Sequence, residues 1–270
     1  MLNHSTDDMR ISILASGSTG NMTYVETDKT KLLVDCGFSG KKAIELLSKI
    51  DRKPEDLDGI LITHEHSDHI KGIGVLSRKF DLDIYANDET WQAMEHKIGK
   101  INKDNRHHFF KDETKTIKDL DISSFGVSHD AANPQFYTFQ KNGKRFVMLT
   151  DTGYVSDRMR AYLKNADAYL FESNHDLAML RMGRYPWSLK QRIISDKGHL
   201  SNEDGALALA EIVGDRTKNV YLGHLSMENN MKSIAHSTVE EILIRKDTGV
   251  NYQYELHDTD PYEPCPLITL

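Results

Sequence analysis

Residues 59–63, GILIT, carry no charge, and the next six, HEHSDH, hold three histidines and two acids. An apolar run of this length reads as a strand buried on both faces. The chain must therefore bury GILIT under other layers and still deliver its C-terminal end to a polar loop. An α/β fold meets both demands, because its strand ends open into loops where functional side chains gather.

The same pattern recurs along the chain. Asp35 closes KLLVD, His129 follows ISSFGVS, Asp151 follows FVMLT and His224 follows VYLG. Five strand-like runs thus each deliver a His or an Asp at one relative point. Within the crowded stretch, His64 and His66 are two apart, so in an extended segment their side chains point the same way. Asp68 and His69 lie at the turn into a helix, where a second pair can face a second ion. Imidazoles with carboxylates suit Zn(II), Mn(II) or Fe(II) better than Ca(II) or Mg(II), which prefer oxygen ligands. An exposed His-rich turn is the plain alternative for a lone HxH, and the matching partners downstream weigh against it.

Strands are expected at 10–15, 22–27, 30–35, 59–63, 83–86, 121–128, 135–140, 144–150, 168–172 and 219–223. Helices fit 40–50, 68–80, 88–97, 156–164, 202–213 and 238–246, with SNED (201–204) and STVE (237–240) as capping signatures. No repeat, low-complexity tract or Pro/Gly linker divides the 270 residues. A polar tail over 1–9 followed by one domain over 10–270 is the economical reading. No apolar run approaches the roughly 18 residues that span a bilayer, and the N-terminus lacks a secretory apolar stretch. A cytoplasmic protein without a membrane partner is expected. Cys36 and Cys265 are far apart, which excludes a disulfide framework, and Cys36 reads as a small buried thiol. The net charge of −7 argues against a protein coated in basic charge, while leaving room for a local basic patch.

HEHSDH resembles the HxHxDH signature of the metallo-β-lactamase fold superfamily, which implies a four-layer αββα sandwich. By that resemblance His64, His66 and His129 hold one metal, Asp68, His69 and His224 hold the other, and Asp151 bridges them. Two divalent transition-metal ions (Zn, Mn or Fe) are implied. Asp35, in LLVDCG, is similar to the acid that orients the signature loop from behind the ligands. Neither cysteine falls at a ligand position, unlike class B β-lactamases, and the later intervals are too short for a β-CASP insertion. ILASGSTGN, SHDAANP, LTDTG, FESNHD and GHLSN together resemble the WalJ/VicX/YycJ group. That likeness implies a metal-dependent 5′-to-3′ DNA exonuclease that accompanies WalRK-type two-component regulation.

Two metals can activate water and stabilise both oxygens of a displacement at phosphorus, so a phosphodiester is the expected substrate and Asp68 a proton acceptor besides a ligand. Glu172 and His199 resemble the acid–histidine couple of tRNase Z-like phosphodiesterases, with His199 supplying the leaving group's proton. The plainer reading is that Glu172 closes a strand and His199 precedes a helix. RMGRYPWSLKQR (181–192) carries Arg181, Arg184, Lys190 and Arg192 with no acid, plus Tyr185 and Trp187. Phosphate contacts and base stacking would suit nucleic acid, DNA above all; a solvated helix with Trp187 in the core is the alternative. Asn21, in the SGSTGN turn, and Asn174 are further candidate substrate contacts, and His175 has no assignment. The rival functions are an acyl hydrolase acting on a thioester, lactone or amide, and a regulatory module whose metal is structural.

Overall fold

The computed structural model describes residues 8–270, so the tail expected over 1–9 falls, through residue 7, outside the described residues. By internal contacts the chain divides into two compact units. The first runs to Gly126 and adds Ala131–Arg145 and Asp260–Leu270; the second comprises Val127–Asp130 and Phe146–Thr259.

The first unit begins with an antiparallel meander of β1 (Arg10–Ala15), β2 (Met22–Glu26) and β3 (Lys31–Val34). Helix α1 (Gly40–Ser48) then leads to β4 (Gly59–Leu61), the short α2 (Ser67–Ile70), α3 (Ile73–Phe80), β5 (Asp83–Ala86), α4 (Asp88–Ile98) and β6 (Arg106–His108). From β3 to β6 the pairing is parallel. Three antiparallel strands follow: β7 (Thr114–Ile117), β8 (Leu120–Gly126) and β9 (Gln135–Lys141).

The second unit is built on parallel strands. In chain order it holds β10 (Lys144–Leu149) from Phe146 on, α5 (Asp157–Leu163), β11 (Ala168–Glu172), α6 (Leu177–Met182), α7 (Trp187–Ile194), α8 (Asn202–Ile212), β12 (Asn219–Gly223), α9 (Lys232–Arg245) and β13 (Glu255–Asp258). Strand β14 (Ile268–Thr269) returns to the first unit and pairs with β1. The strands of the described residues fall into two sheets of seven. No helix of the described residues is long and apolar enough to cross a membrane.

Apolar patterning explains these elements. Leu33, Ile60, Ile62 and Ile84 are fully buried and join a core with Ala43, Leu46 and Leu47 from α1. Burying one such aliphatic side chain is worth about 2 kcal/mol, so the GILIT strand is strongly held in place. Cys36 is fully buried in this core, as expected. Ser39, Asn87 and Ser201 cap α1, α4 and α8, each accepting from a backbone N–H of the first turn. The STVE signature does not start a helix. Helix α9 begins at Lys232, and the Ser237 hydroxyl donates to the Ser233 carbonyl at 2.7 Å inside it. A mid-helix serine bonds back this way when no free N–H remains for it to cap.

Glu26 shows how the first unit holds a buried charge. Its carboxylate accepts from Arg52 at 2.6 and 2.8 Å and from the Tyr24 hydroxyl at 2.6 Å, with Arg10 at 2.7 Å. Burial pushes the carboxyl up, but these partners more than offset it and hold Glu26 below the ordinary carboxylate range. Removing one partner of such a buried pair costs about 3 kcal/mol, so Arg52→Ala should lower the unfolding free energy by that order in urea titrations. Because the folded pKa is depressed, the Glu26 contribution is complete above the unfolded value near 4.5. It is lost as pH falls through the folded value. Glu26→Gln should flatten that part of the stability–pH curve.

Candidate metal centre

In the first unit, Asp35 follows β3 in a left-handed backbone conformation, φ 60°. Its carboxylate accepts from Thr63 N at 2.9 Å, Thr63 Oγ1 at 2.8 Å and His69 Nδ1 at 2.8 Å. Burial pushes the Asp35 carboxyl up, and the His69 imidazole and the Thr63 donors pull it back. Thr63 Oγ1 gives its proton to Asp35, so it accepts from His64 Nδ1 at 3.0 Å. These bonds place the ring protons of His64 and His69 on Nδ1 and leave both Nε2 atoms with lone pairs. His64 Nε2 lies 3.1 Å from His66 Nδ1, and His69 Nε2 lies 3.4 Å from Asp68 Oδ2.

Backbone bonds fix the loop that carries these groups. Asp68 O accepts from Asn21 N at 2.8 Å, His69 O from Cys36 N at 2.7 Å, and Cys36 O from Gly72 N at 2.8 Å. A Cβ at Gly37 would sit 1.8 Å from Asp68 O, so the close approach of these two loops requires glycine there.

The second unit gathers His129, Asp151, Glu172, His199 and His224. Four of them, Asp151, Glu172, His199 and His224, offer ligand atoms within 4.8 Å of one another. His129 Nδ1 donates to Gly198 O at 3.1 Å, which aims its Nε2 to 3.8 Å from Asp151 Oδ1. His224 Nδ1 lies 3.2 Å from Glu172 Oε1, and its Nε2 lies 3.3 Å from Asp151 Oδ1. His199 Nδ1 lies 2.8 Å from the same Glu172 oxygen. The second oxygen of Glu172 accepts from Thr152 N at 3.0 Å and Leu200 N at 3.2 Å. Burial pushes this carboxyl up, but the His199 and His224 imidazoles more than offset it, so Glu172 stays ionised well below neutrality. Asp151 and His224 also have left-handed backbones, φ 53° and 56°.

These donors fit a divalent transition metal. Each buried imidazole is tied through its outer nitrogen to a carboxylate, hydroxyl or carbonyl, the arrangement that orients histidine ligands. A lone-pair nitrogen 3.3 Å from a carboxylate oxygen repels it unless a cation or proton lies between.

Three expected substrate contacts have other tasks. Asn21 is buried, bonds Gly17 N and O at 3.1 Å, and reaches His69 Nε2 at 3.2 Å, tying the SGSTGN turn to the signature loop. Asn174 is buried and donates to His224 O at 2.8 Å. Lys190 is buried too, its ammonium donating to Arg181 O and Gly183 O at 2.7 Å, where it closes the end of α6. Each has a hydrogen-bonding group at a chain turn that burial obliges it to satisfy. Arg181 and Arg184 are exposed. Trp187 is 66% exposed rather than in the core, and Arg192 pairs with Asp130. His175 is buried, and burial pushes its imidazole down to about 4, so it is neutral at physiological pH.

Sequence reasoning missed Thr63 and Gly198. A recurrent tetrapeptide pointed to the second: GHLS stands at 198–201 and again at 223–226.

This architecture and donor set define a class. Residues 30–225 match the beta-lactamase superfamily domain, and the chain belongs to that family. Within it the chain is WalJ/YycJ-like. It is 60% identical over 260 residues to the exodeoxyribonuclease WalJ of Streptococcus pneumoniae, covering 96% of this chain and 97% of that protein. It is 56% identical over 259 residues to the exodeoxyribonuclease YycJ of Bacillus anthracis, covering 96% and 98%. The metallo-β-lactamase fold protein YhfI from Bacillus subtilis superposes with a TM-score of 0.71 at 18% identity, over 96% of this chain and 99% of that one. The α/β metallo-β-lactamase fold expected from the signature is therefore the fold of this chain, and the chain is a metal-dependent hydrolase.

Asp35→Asn should leave the fold intact but weaken zinc binding about 10–100-fold, measured by competition with a chromophoric chelator. Unchanged affinity would show that Asp35 does not orient the loop's ligands.

Proposed function

We propose that this chain is a dinuclear metal-dependent phosphodiesterase that degrades DNA from 5′ ends in the cytoplasm. The observation that carries the reading is the Glu172–His199 couple, 2.8 Å apart, with His199 Nδ1 3.8 Å from Asp151 Oδ1. A proton donor set beside metal-type ligands is what expulsion of a poor alkoxide leaving group needs. The likeness to two proteins named exodeoxyribonucleases supports DNA as the substrate, and association with WalRK-type regulation is proposed on that likeness alone.

His64, His66 and His129 are assigned to one ion, and Asp68, His69 and His224 to the other, with Asp151 shared, following the family's motifs. Zn, Mn and Fe all suit these donors. Bound ions would supply Lewis acidity toward water and the phosphate oxygens. Asp68 would take the proton from the attacking water. Glu172, ionised and fully bonded, fixes the His199 ring through Nδ1 and leaves Nε2 to hand a proton to the departing oxygen. Exposed Arg181 and Arg184 would attract the phosphate backbone, and exposed Trp187 offers a face on which a base can stack.

The test is a panel of end-labelled single- and double-stranded DNA and RNA, each assayed with Zn, Mn or Fe. Chelation, His64→Ala or Asp151→Ala should abolish cleavage. His199→Ala should lower kcat on DNA by about 100-fold or more, yet largely spare a nitrophenyl phosphodiester, whose leaving group needs no proton. Metal-loaded protein that cuts no nucleic acid would overturn the reading, and turnover of thioesters or lactones instead would install the acyl-hydrolase alternative.

A further inference from the structure

We propose that Arg192, braced by Asp130, clamps a phosphate of the bound DNA strand beside the metal centre; the inference rests on the phosphodiesterase reading above. Arg192 Nε donates to Asp130 Oδ2, and the other oxygen of that carboxylate lies 3.5 Å from His129 Nε2, the nitrogen assigned to metal. One carboxylate thus joins the ligand histidine to the guanidinium. Nε is the only guanidinium nitrogen of Arg192 with a partner among the described residues, and the side chain is 58% exposed. Both Nη groups of the fork remain for a ligand, and a planar fork held by its third nitrogen matches two phosphate oxygens.

The helix that carries Arg192 is fixed to the same place. Ile193 O, in the last turn of α7, accepts from His199 N at 2.9 Å. A Cβ at Gly198 would lie 2.0 Å from Ile193 O, so the turn between α7 and His199 packs directly on the helix end. Gly198 O in turn orients His129. The end of α7 is therefore registered against both histidines. Arg192 differs in this from Arg181 and Arg184, which are exposed and form no ion pair among the described residues, and from Lys190, whose ammonium serves backbone carbonyls. Asp130 is a positioning residue here: it aims the guanidinium.

The test compares manganese-loaded wild type, Arg192→Ala, Arg192→Lys, Asp130→Asn and the double variant on end-labelled single-stranded DNA. Metal content is measured for each. Arg192→Ala should lower kcat/KM about 10-fold, chiefly through KM, and reduce the slope of log affinity against log salt by about 0.7, the value for one single-strand phosphate contact. Arg192→Lys should restore the salt slope but only part of kcat/KM. Asp130→Asn should keep the slope and the metal content, lower kcat/KM several-fold, and add nothing in the Arg192→Ala background. Wild-type-like KM and slope in Arg192→Ala would overturn the clamp. So would metal loss in Asp130→Asn, or effects of the two substitutions that multiply. Wild type that cuts no DNA would instead overturn the phosphodiesterase reading itself.

Discussion

The candidate ligands of both units depend on how their imidazoles are aimed, and each is aimed from behind. An imidazole offers one lone pair to a metal only when its other nitrogen carries the proton, so the partner of that nitrogen sets both tautomer and direction. Asp35 does this for His69, Thr63 for His64, Gly198 O for His129 and Glu172 for His224. The partners include a carboxylate, a hydroxyl and a backbone carbonyl. They lie on segments far from the histidines they serve in three of the four cases, so the fold itself sets how each ring is held.

Backbone strain is the cost of that arrangement. Asp35, Asp151 and His224 follow their strands with φ of 60°, 53° and 56°. A non-glycine residue in this region costs roughly 1–2 kcal/mol. Asp35 N bonds Leu61 O at 2.8 Å, and its side chain bonds Thr63, so part of the cost is returned locally. The remainder is carried by burial of the adjoining strands, where Leu33, Ile60, Val147, Leu170 and Leu222 are almost wholly enclosed. A left-handed turn at a strand end breaks the alternation of the pleat and turns the side chain away from its ordinary direction.

This division explains how much the sequence disclosed. Strand burial and the placement of His and Asp at strand ends are local patterns, so the fold class and the candidate donors could be read from residue type and spacing. What Asn21, Asn174 and Lys190 do could not, because each polar group binds a partner that only the fold brings near. Type alone made them candidate phosphate contacts, and burial assigned them to turns and helix ends. The STVE signature misled for a related reason: a capping box and an exposed mid-helix Ser-x-x-Glu are the same letters, distinguished by where the preceding residues lie. The left-handed conformations had no sequence mark beyond the type of Asp, which visits that region more readily than most residues.

The two GHLS segments show how far identical letters can diverge. His199 and His224 both direct Nδ1 at Glu172 Oε1, and their rings stack 5.1 Å apart at 28°. Yet the His224 side chain is 3% exposed with its Nε2 facing Asp151, while that of His199 is 20% exposed. The difference begins in the backbone. His224 leaves β12 left-handed, whereas the N–H of His199 is bound by the end of α7. A buried nitrogen against a carboxylate suits a ligand that never exchanges with solvent. The proton donor proposed at His199 must reach both its substrate and a source of replacement protons, which the more open ring allows. One ionised carboxylate thus holds two histidines in different surroundings, and the strand end and the helix end that deliver them set that difference.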